Sequence, residues 1–182
     1  ANNDWGMTNY PVVPGHGIVG RVTEVGSAVK NFQSGDRAAI GCLVDSCGFC
    51  GNCEKGLEQY CLNGFTATYN SETSDPGGFT YGGYSTSVVA KESFVLHIPD
   101  SLTGPGIAPL LCAGITTYSP LRKWNIGKGQ KVGVIGLGGL GHMGVKFARA
   151  LGAQVTMITS SEQKGEDARM LGAEEVLLSS SV

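Results

Sequence analysis

No stretch of this 182-residue chain approaches the roughly 20 consecutive apolar residues of a membrane-spanning helix. Basic charge is equally sparse: 13 lysines and arginines stand against 15 acids, scattered along the chain rather than massed in one segment. The first absence argues against a membrane partner. The second, with a net charge of −2, argues against nucleic acid, which needs a basic stripe to meet its phosphates. Internal repeats and low-complexity tracts are missing too; no signal-peptide leader is expected, and with that a cytoplasmic setting with reduced thiols is expected. What remains is a chain with 41% apolar residues, enough for one domain or two small ones, and 29 glycines, which point to turns and to backbone approaching a ligand.

Four of the six cysteines, Cys47, Cys50, Cys53 and Cys61, fall in the run SCGFCGNCEKGLEQYC. Zinc held by four thiolates needs its ligands at about 2.3 Å from one point, and C-x-x-C spacings let a tight loop wrap the ion. Gly48, Gly51 and Asn52 are expected to supply positive-φ positions for that wrapping. A disulfide framework is the competing reading of an even number of close cysteines, and zinc is the one favoured here. A site with four protein ligands is closed, so its expected role is structural.

The chain changes character part way along. From Gly17 to about Pro99 it reads as short strands between turn signals: IVGRVTEVG, then GDRAAIG, then GGYSTSVVAKESFVLHIP. Residues 107–122, IAPLLCAGITTYSPLR, read as a helix, and KVGVIG from Lys131 as a short buried strand. A helix with Leu140, Met143, Phe147 and Leu151 at helical spacing follows and stops at Gly152. A second strand from Val155, a helix ending at Gly172 and a third strand from Glu175 complete β-α-β-α-β, half of a doubly wound nucleotide fold.

The turn after the first of these strands carries Gly136-Leu137-Gly138-Gly139-Leu140-Gly141, a G-x-G-x-x-G in the strand-turn-helix context that gives it meaning. The first glycine permits the tight turn, the second lets backbone approach a pyrophosphate, and the third packs helix against strand. At the end of the next strand an NAD site wants an acid for the ribose 2′-hydroxyl. Thr159, Ser160 and Ser161 stand there instead, with Lys164 just beyond, and hydroxyls with a cation suit the 2′-phosphate of NADP. The alternative reading is that the same serines cap the following helix. NADP is preferred over NAD.

His16, in YPVVPGHGIVG, and Cys112, in PLLCAGITTYSP, suggest a second metal site, although spacing alone cannot join them. The succession GHGIVG, GCLVDSCGFCGNCEKGLEQYC, YGGY, APLLCAGITTYSPL and VGVIGLGGLGHMGVKFA resembles the zinc-dependent medium-chain alcohol dehydrogenases, closest to the cinnamyl-alcohol-dehydrogenase branch. The resemblance implies a partial GroES-like β domain over residues 1–106, with a zinc lobe at about 42–62. The first half of a Rossmann cofactor domain follows over 107–182. It also implies one structural zinc on Cys47, Cys50, Cys53 and Cys61, and one catalytic zinc with His16 and Cys112 as two of its three protein ligands. Thr116 matches a position beside the nicotinamide, Trp5 matches a stretch of the substrate pocket, and Gly136, Gly138, Gly139, Leu140 and Gly141 match the pyrophosphate loop.

The implied activity is hydride transfer between NADP(H) and a primary alcohol or aldehyde, aromatic or long-chain by analogy with the branch. The complete family enzyme is expected to be a homo-oligomer. Three departures stand against the pattern. The family's first zinc ligand, a cysteine, would precede Ala1; the strands completing the nucleotide fold would follow Val182; and Gly17 occupies the place of a glutamate, giving GHG for GHE. The chain is therefore expected to be part of such a dehydrogenase, with a zinc-stabilised nucleotide-binding remnant or regulatory short form as the alternative.

Overall fold

A computed structural model describes residues 3, 4 and 6–179, so the expectation for Trp5 lies outside the described residues. The chain divides into two compact units, one ending at Cys112 and the other beginning at Ala113. Among the described residues no helix is long and apolar enough to cross a membrane.

In the first unit, β1 (Ile18–Arg21) pairs antiparallel with β2 (Arg37–Ile40), which pairs antiparallel on its other edge with β5 (Val95–His97). A short ribbon, β3 (Leu43–Asp45) against β4 (Thr66–Ala67), follows β2 directly. The expected strand over 18–26 is shorter than its pattern. Val22 closes the ladder by bonding the carbonyl of Asp36, and the turn at Gly35 leaves the residues beyond without a partner strand. The long strand expected from Gly82 is also cut down. Gly82, Gly83 and Tyr84 donate to the carbonyls of Val13, Gly15 and Pro14, and ladder pairing resumes only at Val95.

The core of this unit is small: Ala39 from β2, Ile98 after β5, and Ile107, with Leu111 packed against them. The last two belong to a 3-10 helix, Pro105–Leu111. The single helix expected over 107–122 is in fact two. The 3-10 segment carries Pro109 and ends at Cys112, whose φ of −130° and ψ of −78° leave the helical region. Helix α1 (Ala113–Lys123) then begins afresh in the second unit.

The second unit matches the expected order: β6 (Lys131–Ile135), α2 (Gly139–Ala150), β7 (Gln154–Thr159), α3 (Glu162–Leu171) and β8 (Glu175–Leu178). The strands form one parallel sheet in the order β6-β7-β8. Register puts Val132 beside Val155 and Met157 beside Val176, so these apolar residues share one face. Val145, Ala148 and Ala168 from α2 and α3 close onto that face and leave Met157 fully buried. The opposite face is open, with Ile135 82% exposed where parallel sheets are ordinarily covered on both sides.

The buried stripe of α2 is Gly144, Val145 and Ala148. Leu140 is half exposed, and Phe147 turns to the neighbouring helix, its ring 5.4 Å from that of Tyr118 in α1. Small residues face the sheet because the helix lies close on it. Gly144 has ordinary van der Waals room for only a methyl group before meeting Val134. Met157→Ala is expected to destabilise this unit by about 2–5 kcal/mol, a loss that thermal unfolding followed by circular dichroism reads directly.

Candidate metal centres and nucleotide loop

The four-cysteine lobe is built locally. Cys47 and Cys50 flank a turn through Gly48 (φ 76°), Cys53 opens a 3-10 turn, Cys53–Lys55, and Gly56 (φ 68°) ends it. Gly51 and Asn52 are not in the left-handed region as expected. Asn52 is right-handed helical at φ −82° and acts through its side chain, donating to the carbonyl of Tyr60 and tying the loop to the stretch that delivers Cys61.

Four thiolates on one tetrahedral zinc lie roughly 3.8 Å apart, whereas a disulfide needs about 2.05 Å. Cys47 Sγ is 3.8 Å and Cys50 Sγ 3.4 Å from Cys53 Sγ, and the four sulfurs lie within 4.8 Å of one another. The donors fit zinc and do not fit a disulfide knot. The Leu62 backbone N–H, 3.5 Å from Cys50 Sγ, is the largest of several influences that draw that thiol down to about 6, which favours the thiolate a metal requires.

His16 and Cys112 also converge, and Cys42 joins them: their donor atoms lie within 4.8 Å of one another. The sequence reading missed Cys42. The antiparallel register that pairs Ile18 with Ile40 and Arg21 with Arg37, run two residues past the strand ends, sets His16 opposite Cys42. Cys112 arrives from the 3-10 segment, which lies tightly on both neighbours. A Cβ on Gly17 would sit 2.8 Å from the Ala108 carbonyl oxygen, and one on Gly41 would sit 3.3 Å from that of Leu111.

Gly17 is therefore more than a missing acid: a side chain there would push the segment that presents Cys112 away from His16. The Cys42 thiol lies 3.9 Å from the Leu111 carbonyl, and burial, reinforced by the neighbouring Cys112 thiol, raises it to about 11. A cation among the donors would reverse that preference. His16 and Cys42 line a cavity of about 500 Å³ with Met7, Phe65 and Tyr69, and the Tyr69 ring stacks on His16 at 6.0 Å.

The glycine loop has the geometry its motif asks for. Gly136 sits at φ 81°, and Gly141 is irreplaceable because a Cβ there would lie 2.0 Å from the Gly136 carbonyl oxygen. Gly138 caps α2 with no side chain of its own, so the first-turn N–H groups of Gly139, Leu140 and Gly141 are free of a side-chain cap. Thr116, on α1, lines a cavity of about 320 Å³ with Ile135, Leu140 and Gly141. At the end of β7, Ser161 is the N-cap of α3 and accepts from the Lys164 backbone N–H at 3.4 Å. The capping role thus belongs to Ser161, and Ser160 and the Lys164 side chain stand exposed beside it.

Residues 1–100 match the alcohol dehydrogenase GroES-like domain. The chain belongs to this alcohol dehydrogenase family. It is 60% identical over 171 residues to NADP-dependent alcohol dehydrogenase C 1 of Mycolicibacterium smegmatis, an alignment covering 93% of this chain and 49% of that protein. Among solved structures, it superposes on a cinnamyl alcohol dehydrogenase of Sorghum bicolor with a TM-score of 0.92 and 47% identity, covering 97% of this chain and 50% of the other. The cinnamyl alcohol dehydrogenase of Helicobacter pylori complexed with NADP(H) superposes with a TM-score of 0.88 and 43% identity, covering 93% and 49%. The chain therefore spans about half the length of the relatives it matches.

The lobe's role is testable without an activity assay. Cys50→Ser should remove one equivalent of zinc and lower the melting temperature, and adding a chelator to the parent protein should do the same. Zinc retained at full stoichiometry by native mass spectrometry would count against a four-thiolate site.

Proposed function

We propose that this chain is the metal- and cofactor-binding half of a zinc-dependent, NADP(H)-using dehydrogenase that interconverts primary alcohols and aldehydes, aromatic or long-chain ones by family resemblance. The observation that supports it most is the convergence of His16 and Cys112, far apart in sequence, with donor atoms within 4.8 Å. An imidazole and a thiolate are donors that zinc accepts, and a site with fewer than four protein donors leaves room for a substrate oxygen.

When bound, zinc supplies Lewis acidity toward that oxygen and NADP(H) supplies the hydride acceptor or donor. The chain's own residues supply position. His16 and Cys112 would hold the metal; Met7, Phe65 and Tyr69 give the adjoining cavity apolar walls suited to a hydrophobic substrate. Trp5 is assigned to the substrate pocket by resemblance.

The N–H groups at the start of α2, presented by Gly138, Gly139, Leu140 and Gly141 behind the turn at Gly136, would receive the pyrophosphate. Thr116 is assigned to the nicotinamide side of the cofactor. Ser160, Ser161 and Lys164 are assigned to the 2′-phosphate, with Ser161 both capping α3 and facing the nucleotide.

The remnant or short-form alternative draws on Gly17, where the tight approach of Ala108 leaves no space for the family's acid. Such an acid supports metal-bound groups, and its loss in other sites costs 10- to 100-fold in affinity or activity. Metal content and turnover separate the two readings. In the protein containing this chain, Cys112→Ser should remove one metal equivalent and abolish NADPH-dependent aldehyde reduction while leaving the lobe's zinc in place. A parent protein that holds only one zinc and turns over no aldehyde would support the remnant.

Lys164→Ala should raise the Kd for NADPH by about 10-fold and leave that for NADH nearly unchanged, since one charge-assisted contact to a phosphate is worth about 1.5–3 kcal/mol at best and less when exposed. Equal effects on both cofactors, measured by fluorescence titration, would remove the phosphate assignment.

A further inference from the structure

The wall of the 500 Å³ cavity beside His16 comes from stretches far apart in sequence, among them Met7 near the start of the chain and the run that carries β4 and the loop after it. Asn70, in that loop, joins the two. Its Oδ1 accepts from the Asn9 N–H at 2.8 Å, and its Nδ2 donates to the Met7 carbonyl at 2.8 Å. An amide side chain offers an acceptor and a donor side by side, so it grips a stretch of backbone at two points.

The grip is made from a fixed base. Asn70 stands in the left-handed region at φ 59°, which asparagine tolerates better than most residues with a side chain. Its N–H donates to the Thr80 carbonyl at 2.9 Å, and the Thr80 N–H donates to the Ser71 carbonyl at 2.9 Å. Thr80 Oγ1 accepts from the Ser71 N–H at 3.1 Å and donates to the Ala67 carbonyl at 2.9 Å. The backbone around Asn70 is therefore held, whereas Met7 is 70% exposed and gains little from packing.

We propose that Asn70 is a positioning residue: it fixes Met7 on the rim of the substrate cavity and, through Met7, sets a preference for aldehydes and alcohols with a bulky apolar tail over short ones. This rests on the proposed dehydrogenase function and deepens it on the side of substrate choice. The chemistry of the wall supports it. Thr68 Oγ1 is engaged with the Gly41 carbonyl, Ser71 Oγ accepts from the Ala67 N–H at 3.0 Å, and the Asn70 amide is occupied by residues 7 and 9. What this wall has left for a ligand is the thioether of Met7, the rings of Phe65 and Tyr69, and the methyl of Ala67. A thioether on an unbranched chain follows the outline of different apolar groups once its backbone is anchored. A two-carbon aldehyde has one methyl group to lay against such a wall and is indifferent to where Met7 stands; an aromatic aldehyde has a whole ring.

The test needs a variant that keeps the backbone. Asn70→Gly does so, because glycine adopts positive φ freely while it loses both side-chain hydrogen bonds. In the zinc-loaded protein containing this chain, assayed with NADPH, Asn70→Gly should raise KM for benzaldehyde about 10-fold, keep kcat within about 2-fold and leave KM for acetaldehyde unchanged, with the size set by two neutral hydrogen bonds. Asn70→Asp, which keeps the acceptor for Asn9 but sets an oxygen against the Met7 carbonyl, should show the same rise. Zinc content and melting temperature should not move in either variant. Amide hydrogen exchange reads the grip apart from turnover: the Asn9 N–H should be protected in the parent and lose that protection in Asn70→Gly.

An equal rise in KM for both aldehydes, or a fall in kcat or melting temperature in its place, would make Asn70 a structural residue only and overturn the proposal. An Asn9 N–H that exchanges in the parent as in a free peptide overturns it too. If the parent reduces both aldehydes and neither variant alters KM, Asn70 positions nothing and the dehydrogenase reading stands. If the parent reduces neither aldehyde, the two readings fail together.

Discussion

The close seating of the 3-10 segment Pro105–Leu111 on the strand ends is the contact that brings the donors of His16, Cys42 and Cys112 together. Two glycines permit it. The carbonyl oxygen of Ala108 lies 2.8 Å from where a Cβ on Gly17 would stand, and that of Leu111 lies 3.3 Å from where one on Gly41 would stand. Each glycine is the immediate neighbour of a donor, His16 before Gly17 and Cys42 after Gly41. A side chain at Gly17 would force the segment to shift, and one at Gly41 would require it to give by a few tenths of an ångström. The small core of Ala39, Ile98, Ile107 and Leu111 holds the arrangement from beneath, so packing and ligation use the same stretch of chain.

The two sets of candidate metal donors are assembled in opposite ways. The four-cysteine lobe draws its donors from one short run, and turns at Gly48 and Gly56 with the Asn52 bond to Tyr60 bend that run back on itself. Its metal can be expected to shape the loop as much as the loop shapes the site, since free energy of binding becomes free energy of folding where no preformed site exists. The second set takes one donor from before β1, one from after β2 and one from the end of a 3-10 helix. Such a site exists only after the sheet has formed, and its precision is inherited from strand register and not from loop composition.

The second unit shows the same division on a different chemistry. The tight turn at Gly136 and the contact between Gly141 and the Gly136 carbonyl are local necessities, whereas the burial of Met157 under α2 and α3 comes from the parallel sheet. The stripe of α2 that meets the sheet is made of small residues because the helix sits close, while Leu140 is half exposed and Phe147 meets Tyr118 of α1. Helical spacing located the helix correctly.

Much of this molecule is written in its sequence: the C-x-x-C-x-x-C run, the G-x-G-x-x-G turn and the strand-helix alternation after Pro105 are local patterns whose physics is complete within a few residues. Ser161 was legible too, as one of two open readings, because an N-cap is a local hydrogen bond. What the sequence could not express is distance across the fold. The break of the expected 107–122 helix at Cys112, the crowding that explains Gly17, and the meeting of His16, Cys42 and Cys112 all depend on which strand edge faces which segment. Cys42 carries no motif of its own, and only the antiparallel register of β1 and β2 brings it opposite His16, because side-chain proximity between distant residues is decided by pairing and not by composition.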